Sequence, residues 1–291
     1  MKKLKKNFKI KSYCKINLSL RLTKKLNNGY HNIMSLITFC GLHDIITITP
    51  INSPKDRISF SGRFKNGIQN RSNTITKTLD LLRKKNLINN QTFKINVKKN
   101  IPHGSGLGGA SSNAAYLLSH FNLRYKLKLN WKTINKFANQ IGFDVPIILE
   151  RKNTFLTGKK NEMIRLKEKF KLNLLLVYPN LVCSTKEIYN KSRQKIISKP
   201  KTFFNIKGKK RLIYYLKKEN NDLQKILFKI HPKIKKIVNF IKSQNGCYFS
   251  RITGSGSACI GIFDNMKNAI YAQKIIKAKY SKYWCIVSKT I

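Results

Sequence analysis

Apolar positions along the chain follow two rhythms. Cys14 to Leu22 alternates and is rich in apolar residues, so it reads as a strand, as do Asp44 to Thr49 (DIITIT) and Thr92 to Val97 (TFKINV). Asn73 to Leu82 switches to helical spacing behind an asparagine suited to an N-cap. A glycine-rich turn, Gly104 to Gly109, runs straight into Ala110 to Phe121, which has the composition of a buried helix. Trp131 to Ile141 is an amphipathic helix stopped by Gly142. Beyond about residue 150 the pattern restarts. Leu172 to Val177 (LNLLLV) predicts a buried strand, Lys186 to Lys191 a short helix, and the polar stretch Lys191 to Lys210, with Pro200, a loop. Helical patterns follow at Asn221 to Ile230, Pro232 to Ser243 and Lys267 to Lys277, with strands at Ser257 to Phe263 and Trp284 to Ser288. Strands and helices mix without the regular rhythm of a doubly wound sheet. The expectation is an α+β fold of two lobes with a boundary near residues 150–160.

Composition changes this picture in one respect. The 291 residues carry 60 Lys and Arg against 11 Asp and Glu, a formal charge of +49, while hydrophobic residues still make up 41%, enough for a real core. The basic residues are spread from end to end, among abundant Asn and Ile, and are not gathered on one arm or face. That distribution reads as compositional drift more than as a polyanion-binding device. Such a field would still steer anionic substrates toward the protein. With so few acids, any carboxylate kept in a patterned apolar setting stands out. The cysteines Cys14, Cys40, Cys183, Cys247, Cys259 and Cys285 form no CxxC pair and read as buried thiols, not as metal ligands or disulfides. No run reaches the roughly 18 apolar residues of a membrane helix, and the basic start, Met1 to Lys11, lacks an apolar signal core. The expectation is a soluble, cytoplasmic protein.

Four segments carry candidate chemistry. Ile101 to Ala115 (IPHGSGLGGASSNAA) combines glycines, which let backbone N–H groups approach a ligand closely, with the positive end of a following helix and the hydroxyls of Ser111 and Ser112. That is a cradle for phosphate. It lacks the Lys-Ser/Thr of a Walker loop and the βαβ setting of a dinucleotide fingerprint. Asp144, between the helix stop Gly142 and the apolar run Val145 to Ile148, could be a loop cap or a carboxylate that orients a hydroxyl and takes its proton. Lys15 sits among apolar neighbours in a strand; it either points to solvent on an edge or is buried with a partner, Asp144 being the natural one. Arg251 to Cys259 (RITGSGSAC) reads as a tight glycine hairpin that could also aim backbone amides at a ligand.

Three of these segments together resemble the motifs of the GHMP small-molecule kinases, in order and spacing: Lys15–Leu22 (KINLSLRL), Pro102–Ala115 (PHGSGLGGASSNAA) and Thr253–Phe263 (TGSGSACIGIF). Within that superfamily Asn28–His31 (NGYH) and Gly142–Pro146 (GFDVP) are similar to the DGYH and GADVP signatures of the 4-diphosphocytidyl-2-C-methyl-D-erythritol kinases. Tyr178-Pro179, Ser184–Tyr189 and Asn221–Leu223 resemble segments of that family's second lobe.

The resemblance implies a two-lobed GHMP kinase fold. Residues 1–155 would form an ATP-binding lobe of the ribosomal S5 domain 2-like kind, and residues 156–291 a substrate-binding α/β sandwich. It implies ATP and Mg²⁺ as cofactors. Pro102, Gly104, Ser105, Gly106, Leu107, Gly108, Gly109, Ser111 and Ser112 would hold ATP, with Asn73 toward the adenine. Asp144 would be the base on the 2-hydroxyl of the methylerythritol, with Lys15 beside it. Asn17 and Thr185 would bind substrate, Tyr30 and Tyr189 would sandwich the cytosine, and His31 would meet its edge. The partners implied are ATP and the cytidine diphosphate-linked substrate, with no specific nucleic acid and no membrane, and the chain a monomer or weak homodimer.

Four positions depart from the family pattern: Cys14 and Phe143 replace alanines, Asn28 an aspartate, and Ser72 a frequent acid. Phe143 is the bulkiest, and predicts a ring that either crowds the base or packs away from it. Two alternatives stay open on sequence. A homoserine or mevalonate-type kinase would share the loop, but neither alcohol needs an aromatic sandwich. A nucleic-acid-binding protein driven by charge would be indifferent to Asp144.

Overall fold

The computed structural model describes residues 7–25, 31–159, 162–192 and 206–291. In chain order the elements are β1 (Phe8–Asn17), β2 (Arg21–Lys25), β3 (His31–Ile51), β4 (Arg57–Ser61), α1 (Thr74–Lys84), β5 (Thr92–Lys98), α2 (Gly109–Arg124), α3 (Trp131–Ile141) and α4 (Val145–Ile148). They continue with β6 (Thr154–Thr157), β7 (Met163–Arg165), β8 (Asn173–Tyr178), α5 (Thr185–Asn190), α6 (Lys209–Lys218), α7 (Leu223–Ile230) and α8 (Pro232–Lys242). The last four are β9 (Cys247–Ile252), β10 (Cys259–Phe263), α9 (Met266–Lys279) and β11 (Trp284–Lys289). No helix among the described residues is long and apolar enough to cross a membrane.

The chain divides into two units, each drawn from several stretches. The first takes the described residues of 1–14, 42–103 and 108–151; the second takes those of 15–41, 104–107 and 152–291.

In the first unit the late part of β3 pairs antiparallel with β5, from Ile45↔Lys98 to Ile51↔Thr92, and β4 lies parallel to β5. Alternation puts Ile46, Ile48, Phe93, Ile95 and Val97 inside at 0% exposure. Helices α1 to α4 pack on one another. The Phe93 ring meets the Phe121 ring of α2 edge-on at 5.0 Å. Small residues make α2 a central helix: Ser112 to Leu118 are all buried.

In the second unit β8 is one of two inner strands of an antiparallel sheet ordered β11-β8-β10-β9. Its apolar run, Leu174 to Val177, is fully buried, as expected of a strand covered on both faces. Leu227, Ile234, Ile237, Ile241, Ala272 and Ile276 of the flanking helices join its core. The early part of β3 pairs with β2 and β6, and β7 continues from β6.

Three stretches differ from the sequence reading. The strand at Cys14 to Leu22 ends at Asn17 and resumes at Arg21: Leu18 N still bonds Leu36 O at 2.8 Å, but Leu20 pairs elsewhere, its N–H donating to Asn220 O at 3.0 Å and its O accepting from Asp222 N at 2.8 Å, an isolated parallel bridge. The strand at Asp44 to Thr49 is the end of a 21-residue strand, whose earlier part is buried without interruption from Met34 to Cys40 and carries no alternation to read. The polar loop drawn to Lys210 gives way to α6 from Lys209; its middle, 193–205, lies outside the described residues.

Candidate active site

In the second unit the two glycine motifs interlock. Gly104 O accepts from Cys183 N at 3.2 Å, Ser105 O from Ala258 N at 3.0 Å, and Leu107 O from Lys15 N at 3.1 Å. Gly106 has φ +80°, and a Cβ there would lie 2.2 Å from Thr253 O. The Arg251–Cys259 motif is therefore a hairpin, with β9 and β10 as its arms, whose loop is buried backbone-to-backbone against residues 104–107. Asn221 props that loop, its Nδ2 donating to Ile252 O at 3.2 Å and Gly254 O at 2.8 Å. Gly106→Ala is expected to lower the melting temperature and abolish activity together. An L-residue in left-handed backbone costs about 1–2 kcal/mol before any overlap, and here the overlap is with backbone that cannot swing aside.

Lys15 is 5% exposed, which removes the solvent-facing alternative. Its Nζ donates to Asn17 Oδ1 at 2.7 Å. Asn17 is in turn fixed on two sides: its Nδ2 donates to Ser35 Oγ at 2.8 Å and its N–H to Thr253 Oγ1 at 2.9 Å. The asparagine thus orients the lysine. Thr185, in the first turn of α5 behind the Ser184 cap, shares a 2.9 Å hydrogen bond with Ser255 Oγ. The His31 and Tyr189 rings are 5.9 Å apart at 38°. Tyr30 and Asn28 lie outside the described residues.

Arg251 is buried by its own motif, donating to Leu18 O at 3.1 Å and Leu216 O at 2.7 Å. Burial pulls its pKa down to about 10, opposed by the Glu219 carboxylate, so it stays charged at neutral pH.

In the first unit α2 begins behind Gly108, whose φ of 67° is left-handed and which offers no capping side chain. The amides of the first turn therefore keep their capacity for an anion. Ser112 is fully buried and its Oγ has no hydrogen-bond partner among the described residues. A buried hydroxyl in that state fits a phosphate oxygen or a phosphate-bound cation. Thr74 Oγ1 donates to Ala110 O at 2.8 Å, tying the start of α1 to the start of α2. Asn73 caps α1, its Oδ1 accepting from Ile75 N and Thr76 N at 2.9 and 3.0 Å. Its Nδ2 is used on Gln69 O and Asn70 O, so the side chain is engaged within its own turn.

Behind the glycine segment lies an ion pair that sequence reading missed. Asp44 is 0% exposed; it pairs with Lys99 Nζ and accepts from Asn100 N at 2.7 Å and Ile101 N at 2.8 Å. A Cβ on Gly109 would lie 3.4 Å from Lys99 Nζ and 3.0 Å from Ile101 Cγ2. His103, in the same segment, has its pKa lowered by burial and by Lys99, which keeps a second positive charge off the turn at neutral pH. The signal available in sequence was one acid in an apolar strand, indistinguishable there from a strand-end residue.

Asp144 occupies the N-cap position of α4, yet its carboxylate caps no amide of that helix, which argues against the loop-cap alternative. It is half-buried, while the Phe143 ring beside it is 71% exposed and so does not fill the space around the carboxylate. Among the described residues no group of three or more His, Cys, Asp or Glu could hold a metal. A metal here would rest mainly on ligand oxygens, as Mg²⁺ does with nucleotide phosphates.

Known proteins resemble this chain over nearly its whole length. The model for the GHMP kinases N terminal domain matches residues 73–151, and that for GHMP kinases C terminal matches 210–282. The 4-diphosphocytidyl-2-C-methyl-D-erythritol kinase of Pelagibacter ubique is 40% identical over 98% of this chain and 99% of its own length. The protein of that name from Wolbachia pipientis wMel is 33% identical over 96% and 97%. In fold, the crystal structure of a 4-(cytidine 5'-diphospho)-2C-methyl-D-erythritol kinase superposes with a TM-score of 0.76 at 22% identity, covering 98% of this chain and all of that one. The homoserine kinase from Cytophaga hutchinsonii superposes at 0.70 and 14%. On sequence shared from end to end, the chain belongs to the 4-diphosphocytidyl-2-C-methyl-D-erythritol kinase family of GHMP kinases.

Proposed function

We propose that this kinase transfers the γ-phosphate of ATP to the 2-hydroxyl of 4-diphosphocytidyl-2-C-methyl-D-erythritol, a step toward isoprenoid precursors that bypasses mevalonate. The 40% identity to a kinase of that name over nearly the whole chain carries the reading. Purified protein should consume ATP with the cytidine compound and not with homoserine or mevalonate. Turnover with either control alone would replace the substrate.

The roles follow from chemistry. Asp144 takes the proton of the attacking hydroxyl and orients its lone pair toward phosphorus. Lys15, held by Asn17, offsets charge on the transferring phosphoryl group. Gly104 to Gly109, with Pro102 at their head, and the first turn of α2 with Ser111 and Ser112 hold the phosphates through backbone amides and hydroxyls. Ser112 would help hold a Mg²⁺ ion, whose positive charge would offset that of the phosphates. Asn73 shapes the turn beside the adenine, and Thr185 binds substrate.

Tyr189 and Tyr30 stack on the cytosine, and His31 meets its edge. Base stacking on an aromatic ring contributes about 1–3 kcal/mol. Steady-state kinetics of Tyr189→Ala should therefore show KM for the cytidine compound raised at least about fivefold with kcat little changed; an unchanged KM removes Tyr189 from the base site.

A further inference from the structure

One contact in the second unit is not part of any motif named above. Ser192, 9% exposed, lies just past α5 and touches both residues assigned to the cytosine. Its Oγ is 2.6 Å from Tyr189 O and 3.2 Å from His31 Nε2, and its N–H also donates to Tyr189 O at 3.0 Å.

The first distance decides the proton. Two oxygens 2.6 Å apart repel unless a hydrogen lies between them, and a peptide carbonyl has none. The single hydroxyl hydrogen of Ser192 is therefore committed to Tyr189 O. Toward His31 the hydroxyl can only accept, so His31 carries its hydrogen on Nε2. In the neutral ring Nδ1 then bears the lone pair.

We infer that Ser192 is a positioning residue for base recognition: it fixes the His31 tautomer and seats that ring against the helix end bearing Tyr189. The inference rests on the proposed substrate. A ring nitrogen fixed as an acceptor suits a pyrimidine with an exocyclic amino group, which donates. It opposes one with a carbonyl at that position, whose oxygen would meet a lone pair. The same hydroxyl links the start of β3 to the end of α5, so edge recognition and stacking are set together.

The experiment combines kinetics with imidazole ¹⁵N NMR on Ser192→Ala and Ser192→Thr, the His31 signals being assigned by their loss in His31→Gln. Wild type should show the Nε2–H tautomer. Ser192→Ala should lose that bias, raise KM for the cytidine compound about fivefold, the worth of one hydrogen bond, hold kcat within about twofold, and discriminate less against the uridine analogue. Ser192→Thr, which keeps the hydroxyl, should restore both signals and KM. Unchanged ¹⁵N shifts and KM in Ser192→Ala overturn the inference. So does a lowered melting temperature with the tautomer retained, which would mean a purely structural role. If wild-type protein ignores the cytidine compound, the proposed substrate fails, while the NMR comparison still decides what Ser192 does to His31.

Discussion

Asp144→Asn is expected to lower kcat about 10²- to 10⁴-fold, the usual worth of a positioned general base, with ATP affinity nearly unchanged. Asparagine keeps the size and a hydrogen-bonding oxygen but cannot accept the hydroxyl proton at neutral pH. The carboxylate makes no capping bond to α4, so loss of activity through that cap is not expected, and the melting temperature separates a chemical role from a structural one. Phosphoryl transfer asks the protein mainly for position and charge, which is why a residual rate should survive from the proposed phosphate-binding turn and Lys15. An Asp144→Asn enzyme with near-normal turnover would remove Asp144 from the chemistry. Turnover lost along with folding would instead make it a structural residue.

The second large effect is on stability. Asp44→Ala should destabilise the protein by about 3–5 kcal/mol, the cost of stranding one member of a buried ion pair. Lys99 is 4% exposed in its side chain and would lose its carboxylate, and the amides of Asn100 and Ile101 would lose their acceptor. Those amides lead directly into the glycine segment proposed to hold phosphate, so ATP affinity should fall in parallel with the denaturation midpoint. The double variant Asp44→Leu with Lys99→Met removes both charges and should recover much of the stability. It should not recover ATP affinity, because the two amides remain without an acceptor. If Asp44→Ala unfolds at the wild-type midpoint, the pair is not holding the segment.

Several features were legible in sequence because their causes are local. The α3 span, Trp131–Ile141, follows from apolar spacing and a glycine stop within one window of the chain. Asn73 announces α1 because an N-cap needs only its own side chain and the next amides. The glycine turn running into a helix start with hydroxyls was legible for the same reason. The kinase family followed from motifs, and relatives matching over nearly the full length bear it out.

What sequence left open depends on residues far apart in the chain. Whether Lys15 faced solvent could not be read from its neighbours, since its orientation is set by Asn17, and Asn17 is held by Thr253, 236 positions away. The second glycine motif read equally as a plain hairpin until residues 104–107 were found against it, where no Cβ fits. The Asp44–Lys99 pair spans 55 residues and the Ser192–His31 contact 161. The units themselves are discontinuous, with β1 and β3 each contributing to both. Sequence determined the local elements, the glycine turn before α2 and the family, because backbone propensity, capping and motif spacing act over a few residues. Tertiary structure alone decided which polar groups are buried together and which hydrogens they exchange, because that is a matter of distance in space.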